Sequence, residues 1–325
     1  MNAAQLHQDS IIIDGLNASW FLSDGVIERI HAGGITAVNA TIAAWHNPEE
    51  TMDMIGRMLQ QIDRHSDIAV QVRSTADIHA AKAAGKTGFI LGFQDTAPVA
   101  DKLHLLQVYR ELGVRTMQLT YNFENRVGFG CQAPEDKGLT AFGRELVAEM
   151  NRLGLLIDLS HCGSQTTLEA IALSDEPVAI THANAASQFP HPRNKSDEAI
   201  KACAAKGGVI GALSFPMMLT QNLPATVEDY VAAIDYLVQI VGVDHVAVGP
   251  DFMEEMPLEV VQTVLAGLPP DVMQAMQAMP TVQNFASAAE TGNVTAALFA
   301  QGYAAADTQK IMGGNWLRLY GQVWK

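Results

Sequence analysis

Eight short apolar runs recur along the 325 residues, each followed by a longer stretch of helical periodicity, and this alternation constrains the fold most. The runs are Ile11–Asp14, Ile35–Thr41, Gly88–Phe93, Thr116–Thr120, Leu155–Ser160, Pro177–Thr181, Gly208–Leu213 and His245–Pro250. Most are rich in Val, Ile and Leu with little polar alternation, as strands buried on both faces require. Between them, Glu50–His65, Thr140–Leu153 and Val227–Val241 space their apolar residues as helices with one buried face. Ser74 with Asp77 three residues on, and Gly85 closing, reads as a further capped helix. Ile68–Val72 is a strand-like run with no place in the alternation. Eight strands alternating with helices predict an α/β fold, a (β/α)8 TIM-type barrel. A doubly wound open sheet would want a glycine-rich phosphate turn after the first strand, and Asp14-Gly15-Leu16-Asn17 is not one. No linker or composition break divides the chain, so residues 1–325 are expected to form a single barrel domain.

Charge narrows the partners. With 20 basic and 35 acidic side chains the net charge is −15, which argues against nucleic acid or an anionic membrane surface. No run of about 18 apolar residues offers a membrane span. The first residues lack a cationic segment followed by an apolar one, so no signal peptide is expected. Three cysteines (Cys131, Cys162, Cys203) without a CxxC pair suit a reduced, cytoplasmic setting better than a disulfide framework.

In such a barrel the chemistry stands at the C-terminal ends of the strands. Those ends carry Asp14 to Ala18, Asn39, Gln94, Tyr121, His161, His182, Ser214 and Asp251. Two histidines and an aspartate at three neighbouring ends supply what a Zn²⁺ site needs. Each of them taken singly also fits a hydrogen-bonded structural role.

Six segments in order carry a more specific signal: Gly138–His161, Ile180–Ala185, His191–Asn194, Lys206–Gly211, Asp244–Phe252 and Ile311–Arg318. Together they resemble the membrane (renal-type) dipeptidase family of the metal-dependent amidohydrolase superfamily, over nearly the whole chain from Ile11 to Arg318. The resemblance implies a barrel, a two-zinc centre, a homodimer, and hydrolysis of dipeptides, including ones with a D-residue at the C-terminal position. It places His161 and His182 on the two histidines that hold one zinc. Asp251 falls on the aspartate that takes the proton from the attacking water, and Arg193 on the arginine that grips the substrate carboxylate.

The chain also departs from that pattern. Leu16 and Ala18 stand where the family has the two ligands of the other zinc, Gln94 replaces the bridging glutamate, and Tyr121 replaces a histidine near the substrate carbonyl. Leucine and alanine side chains have no lone pair to give, so a paired-metal centre is not expected. The expectation is one Zn²⁺ per chain, or none. One mechanism follows from a single ion on His161 and His182 with a possible amide oxygen from Gln94. Asp251 then moves the proton, Tyr121 donates to the developing oxyanion, and Arg193 holds the substrate carboxylate of a dipeptide-like substrate. Asp251 could instead be a direct ligand. The alternative is a catalytically silent barrel that binds a small molecule, with Leu16 and Ala18 closing the space. Five methionines, Met253, Met256, Met273, Met276 and Met279, cluster after the last strand and suit either core packing or an adaptable cover for the barrel mouth.

Overall fold

The structure, a computed structural model, describes residues 2–265 and 281–325. Its strands are β1 (Ile13–Asn17), β2 (Ala37–Ala43), β3 (Ala69–Gln71), β4 (Thr87–Phe93), β5 (Val114–Gln118), β6 (Leu156–Asp158), β7 (Ala179–Ile180), β8 (Val209–Ala212) and β9 (Val246–Val248). All pair in parallel in the order β1-β2-β4-β5-β6-β7-β8-β9. The ring closes between its first and last strands at the C-terminal rim, where Ala18 N donates to Phe252 O (2.8 Å) and Asp251 N to Leu16 O (3.1 Å). The TIM-type barrel expected from the alternation is therefore present.

The unplaced run Ile68–Val72 becomes β3. It pairs with Thr87–Phe89, at the start of β4, where β5 offers no partner because its own pairing begins at Leu91. β3 thus covers an edge that would otherwise expose unpaired amides. The expected first strand is shifted. β1 starts at Ile13 and runs on through Gly15 to Asn17. Asn39 does not end a strand. It lies in the middle of β2, opposite Ile90, and its Nδ2 donates to Gly15 O (2.9 Å).

Period-two alternation divides each strand between two cores. One face packs outward on the helices. The inner face contributes Ile13, Ala37, Ile90, Leu156, Ala179, Val209 and Ala247 to a second cluster inside the ring. Small inner residues alone would leave a void, and the helix Asn315–Val323 fills it. Trp316 inserts from the N-terminal end of the barrel, fully buried, and its indole N–H donates to Val248 O (2.9 Å). Gly15 is required beside it, because a Cβ there would run into the indole ring. Asn315 anchors the same turn through Nδ2 to Val243 O (2.7 Å) and Val246 O (2.8 Å). The Ile311–Arg318 segment therefore closes the barrel floor and does not reach the rim where chemistry is expected.

The helix Pro48–Arg64 begins with a capping box. Asn47 Oδ1 accepts from Glu50 N (3.0 Å), and Glu50 Oε2 accepts from Asn47 N (2.8 Å), with Pro48 in the first turn. This fixes its first two turns over the rim beside β2. The helix Thr75–Ala84 is capped by Ser74 and Asp77 and ends at Gly85 in the left-handed region (φ 66°), as its sequence indicates. Among the described residues no helix is long and apolar enough to cross a membrane. Met273, Met276 and Met279 lie outside the described residues.

Trp316→Ala should lower unfolding stability by about 3–5 kcal/mol, since a large cavity would open where the small inner residues cannot collapse. Denaturant titration of the two proteins measures it, and a loss below about 1 kcal/mol would show that the indole is not what fills the barrel floor.

Candidate functional site

Asp158 is the root of the site. It is a carboxylate at the end of an apolar strand, 1% exposed, and it is satisfied by four donors. Its Oδ1 accepts from Ser160 N (3.0 Å), Ser160 Oγ (2.6 Å) and Thr181 N (3.0 Å), and its Oδ2 from Thr181 Oγ1 (2.6 Å). These bonds stitch the end of β6 to the end of β7. They also aim the Thr181 hydroxyl, which lies 2.7 Å from His182 Nδ1. On the other side, Asn122 Oδ1 lies 2.7 Å from His161 Nδ1. Held from both sides, the two imidazoles point their Nε2 atoms at each other, 2.9 Å apart. His161 and His182 are thus brought together, as the sequence leads one to expect.

A hydrogen count along this chain is informative. Four contacts run from Asn122 through His161, His182 and Thr181 to Asp158, and each needs one hydrogen. Two neutral imidazoles and one hydroxyl supply three. A fourth would make an imidazole cationic, yet burial pushes both well below the ordinary histidine value, with Arg193 adding its repulsion. A cation between the Nε2 atoms resolves the shortage. Each Nδ1–H then donates outward, to Asn122 and to Thr181, and both Nε2 lone pairs are free to ligate. The pair fits one metal ion on this ground. Gln94 carries a buried acceptor that is left over. Its Nε2 donates to Thr41 Oγ1 (2.9 Å), while its buried Oε1 has no hydrogen-bond partner. The side chains of Leu16 and Ala18 carry no donor atom for a second ion.

Arg193 is placed differently from the expectation that it grips a substrate carboxylate. It is 2% exposed, its Nη1 donates to Ser160 O (2.6 Å) and its Nη2 to His182 O (2.9 Å). The guanidinium clamps the two strand ends that present the histidines. Two of its nitrogens are committed to main-chain oxygens, so it has little left for a bidentate fork. Lys195 lies behind it, buried, with Nζ donating to Cys162 O (2.5 Å) and Thr167 Oγ1 (3.2 Å). Burial lowers its pKa.

A cavity of about 410 Å³ opens at the rim beside β1, β2 and β9. Gln94, Tyr121 and Asp251 lie on its wall, whereas His161, His182 and Arg193 do not. Tyr121 touches both groups. Its ring stacks on His161 with centroids 4.1 Å apart and 20° between planes, and Trp45 meets it edge-on at 4.6 Å. Burial raises the Tyr121 phenol, so it keeps its proton as a hydrogen-bond donor. Asp251 holds a left-handed backbone (φ 62°), fixed by its N–H to Leu16 O, and no side-chain hydrogen bond is formed by its carboxyl group among the described residues. Burial pushes that carboxyl up to about 7, against the pull of Arg193. Such a value suits a group that must give and take a proton near neutrality.

Several residues that act here were not singled out from the sequence. Asn122, Thr181 and Asp158 orient the imidazoles; the signal for Asp158 was a charge inside an apolar strand. His46 and Trp45 line the cavity from the loop after β2. Ser214, expected at a strand end, bonds through Oγ to Pro250 O (2.8 Å) and braces the turn before Asp251. Cys162 and Cys203 are buried with thiols pushed up to about 11 and about 12, which marks them as inert.

The model of the membrane dipeptidase family, peptidase family M19, matches residues 2–264. A curated relative is Dipeptidase tcpJ of Claviceps purpurea, 27% identical over 278 residues, which cover 84% of this chain and 60% of that protein. The chain spans 44–60% of the length of the curated relatives it matches. A crystal structure of an amidohydrolase from Pseudomonas aeruginosa is 36% identical, with a TM-score of 0.92 over 100% of this chain and 99% of that one. A metallo peptidase from Rhodobacter sphaeroides, liganded with a phosphinate mimic of L-Ala-D-Ala, is 21% identical. Its TM-score is 0.82 over 97% of this chain and 100% of that one, which shows the same fold.

Asp14 gives a clean pH test of this interior. Burial pushes its carboxyl up to about 8, against hydrogen bonds from Asn17 and Leu16 N–H. A raised carboxyl stabilises the fold while it is protonated, so its contribution is lost as pH rises through about 8. The melting midpoint should therefore fall as pH rises toward about 8 and level off above it, and Asp14→Asn should flatten that fall. An equal slope in both proteins would contradict the assignment.

Proposed function

The chain belongs to the membrane dipeptidase family, peptidase family M19, and on that premise we propose that it hydrolyses the amide bond of a small dipeptide-like substrate bearing a carboxylate. His161 and His182 would hold one Zn²⁺ per chain, with Gln94 Oε1 as a third donor. The observation that carries this reading is the facing pair of Nε2 atoms, 2.9 Å apart and braced by Asn122 and by Thr181 with Asp158. When bound, the ion supplies Lewis acidity that lowers the pKa of water and polarises a carbonyl.

The remaining work falls to the chain's own side chains. Asp251, on the cavity wall with a carboxyl near neutrality, accepts the proton released by the attacking water. The same carboxylic acid then returns it to the leaving amine, so no proton is gained or lost over the cycle. Tyr121 keeps its phenolic proton and donates a hydrogen bond where negative charge develops on the former carbonyl oxygen. Its ring, flat on His161, also screens the imidazole pair from bulk water. Arg193 works as a positioning residue, tying Ser160 O to His182 O so that the histidines keep their mutual angle. Three free thiols agree with a reduced, cytoplasmic setting.

The test is a dipeptide panel with protein stripped by chelator and then given Zn²⁺ or Mn²⁺. Turnover should appear only on add-back, His161→Ala should abolish it, and Asp251→Asn should reduce kcat by about 10²–10⁴-fold. Turnover in chelator, or unchanged turnover in Asp251→Asn, would overturn this mechanism. No turnover of any dipeptide after add-back would leave the barrel as a silent binding protein.

A further inference from the structure

The cavity beside the histidines has a composition that the reaction itself does not explain. Its wall is largely apolar and aromatic, with Trp20, Phe21, Trp45, Met54 and Met253 among the lining residues. The charged residues on it are all acidic: Glu50, Asp251 and Glu259, with His46 as a further titratable group. No Lys or Arg lines it among the described residues. The sequence makes that absence general. Residues 1–28, 30–56 and 207–309 contain neither Lys nor Arg, and these stretches hold most of the wall, including the segment after Asp251.

Three cations from outside those stretches are engaged away from the cavity. Arg29 is paired with Glu254 and Glu255. Arg57 is exposed and faces Asp53 at 3.8 Å. Arg193 is buried on the carbonyls of Ser160 and His182. A cleft lined by one sign of charge with low-dielectric walls concentrates the opposite charge. Aromatic faces add attraction for an ammonium group. Flexible methionines let the wall adapt to a bulky apolar group.

We propose that this cavity is a subsite for a primary ammonium carried on a bulky, aromatic-sized apolar group, and that it rejects anions. The juxtaposition that carries the proposal is a wall of Trp20, Phe21 and Trp45 with Asp251 and Glu50 on it and no basic side chain. The inference deepens the hydrolase reading, on which it rests for one point only: the ammonium half is the acyl residue of the substrate, and the carboxylate half lies away from this wall. Selection then comes from the amino end and its side chain.

Binding to metal-free protein separates this claim from catalysis. Titration calorimetry at low ionic strength should show phenylalaninamide binding at least about tenfold more tightly than N-acetylphenylalanine, which has the same ring but a negative charge. Alaninamide should bind more weakly than phenylalaninamide, and raising the salt to about 0.5 M should shrink the first ratio. Met54→Lys, which puts a cation on the wall, should reverse or abolish the preference. Asp251→Asn should weaken the phenylalaninamide complex at least about threefold without weakening the anion. Equal affinity for the two phenylalanine derivatives, or an unchanged ratio in Met54→Lys, would overturn the subsite. Selective binding without any dipeptide turnover would overturn the hydrolase reading and leave the subsite standing. Dipeptide turnover with no such selectivity would do the reverse.

Discussion

The contact between His161 Nε2 and His182 Nε2 is the constraint on which the rim of this barrel is organised. Two neutral imidazoles meeting through the same type of nitrogen need a shared proton, and their outer nitrogens are already committed. Asn122 holds one ring, and Thr181 with Asp158 holds the other. Arg193 then ties together the strand ends from which both rings project. Every one of these groups is buried or nearly so, which makes each unmade bond costly and the arrangement correspondingly rigid. Burial, with the positive charges of Arg193 and Lys195 beside it, disfavours an imidazolium, and a cation accepting both lone pairs would complete the arrangement.

Stability and chemistry occupy opposite ends of the same ring. At the N-terminal end, small inner residues accept Trp316 and its helix, and glycine at position 15 leaves room for the indole. At the C-terminal end the inner positions turn polar, with Gln94, Asp158 and finally Asp251. The closure of the ring belongs to both. The hydrogen bond from Asp251 N to Leu16 O joins first and last strands and simultaneously sets the left-handed backbone that presents the carboxyl group to the cavity. The side chains of Leu16 and Ala18 take no part in this closure, because it is made by main-chain atoms.

Much of this was legible in the sequence, for reasons that can be named. Parallel strands buried on both faces betray themselves as apolar runs, so eight of the nine were found, with ends off by up to about three residues. β3 was unplaced because a strand on a short edge of β4 breaks the alternation that reveals the others. Asn39 was misplaced to a strand end because β2 runs on to Ala43, beyond the apolar run that marked it. The two histidines and Asp251 were singled out because polar residues stand out where apolar runs stop. The direction of Arg193 was not accessible, since whether a guanidinium faces a cavity or a carbonyl depends on a loop path that spacing does not encode. Nor could the sequence show that Tyr121 lies flat on His161. That stacking joins residues 40 positions apart and converts an expected catalytic donor into a wall as well.

The account stands or falls on how many ions the rim accepts and where. The most direct measurement is a crystal structure of the chain grown with excess Zn²⁺, with anomalous scattering recorded at the zinc edge. The account predicts one site per chain, between His161 Nε2 and His182 Nε2 and within bonding distance of Gln94. Two ions in the rim, or none on the imidazole pair, would contradict it.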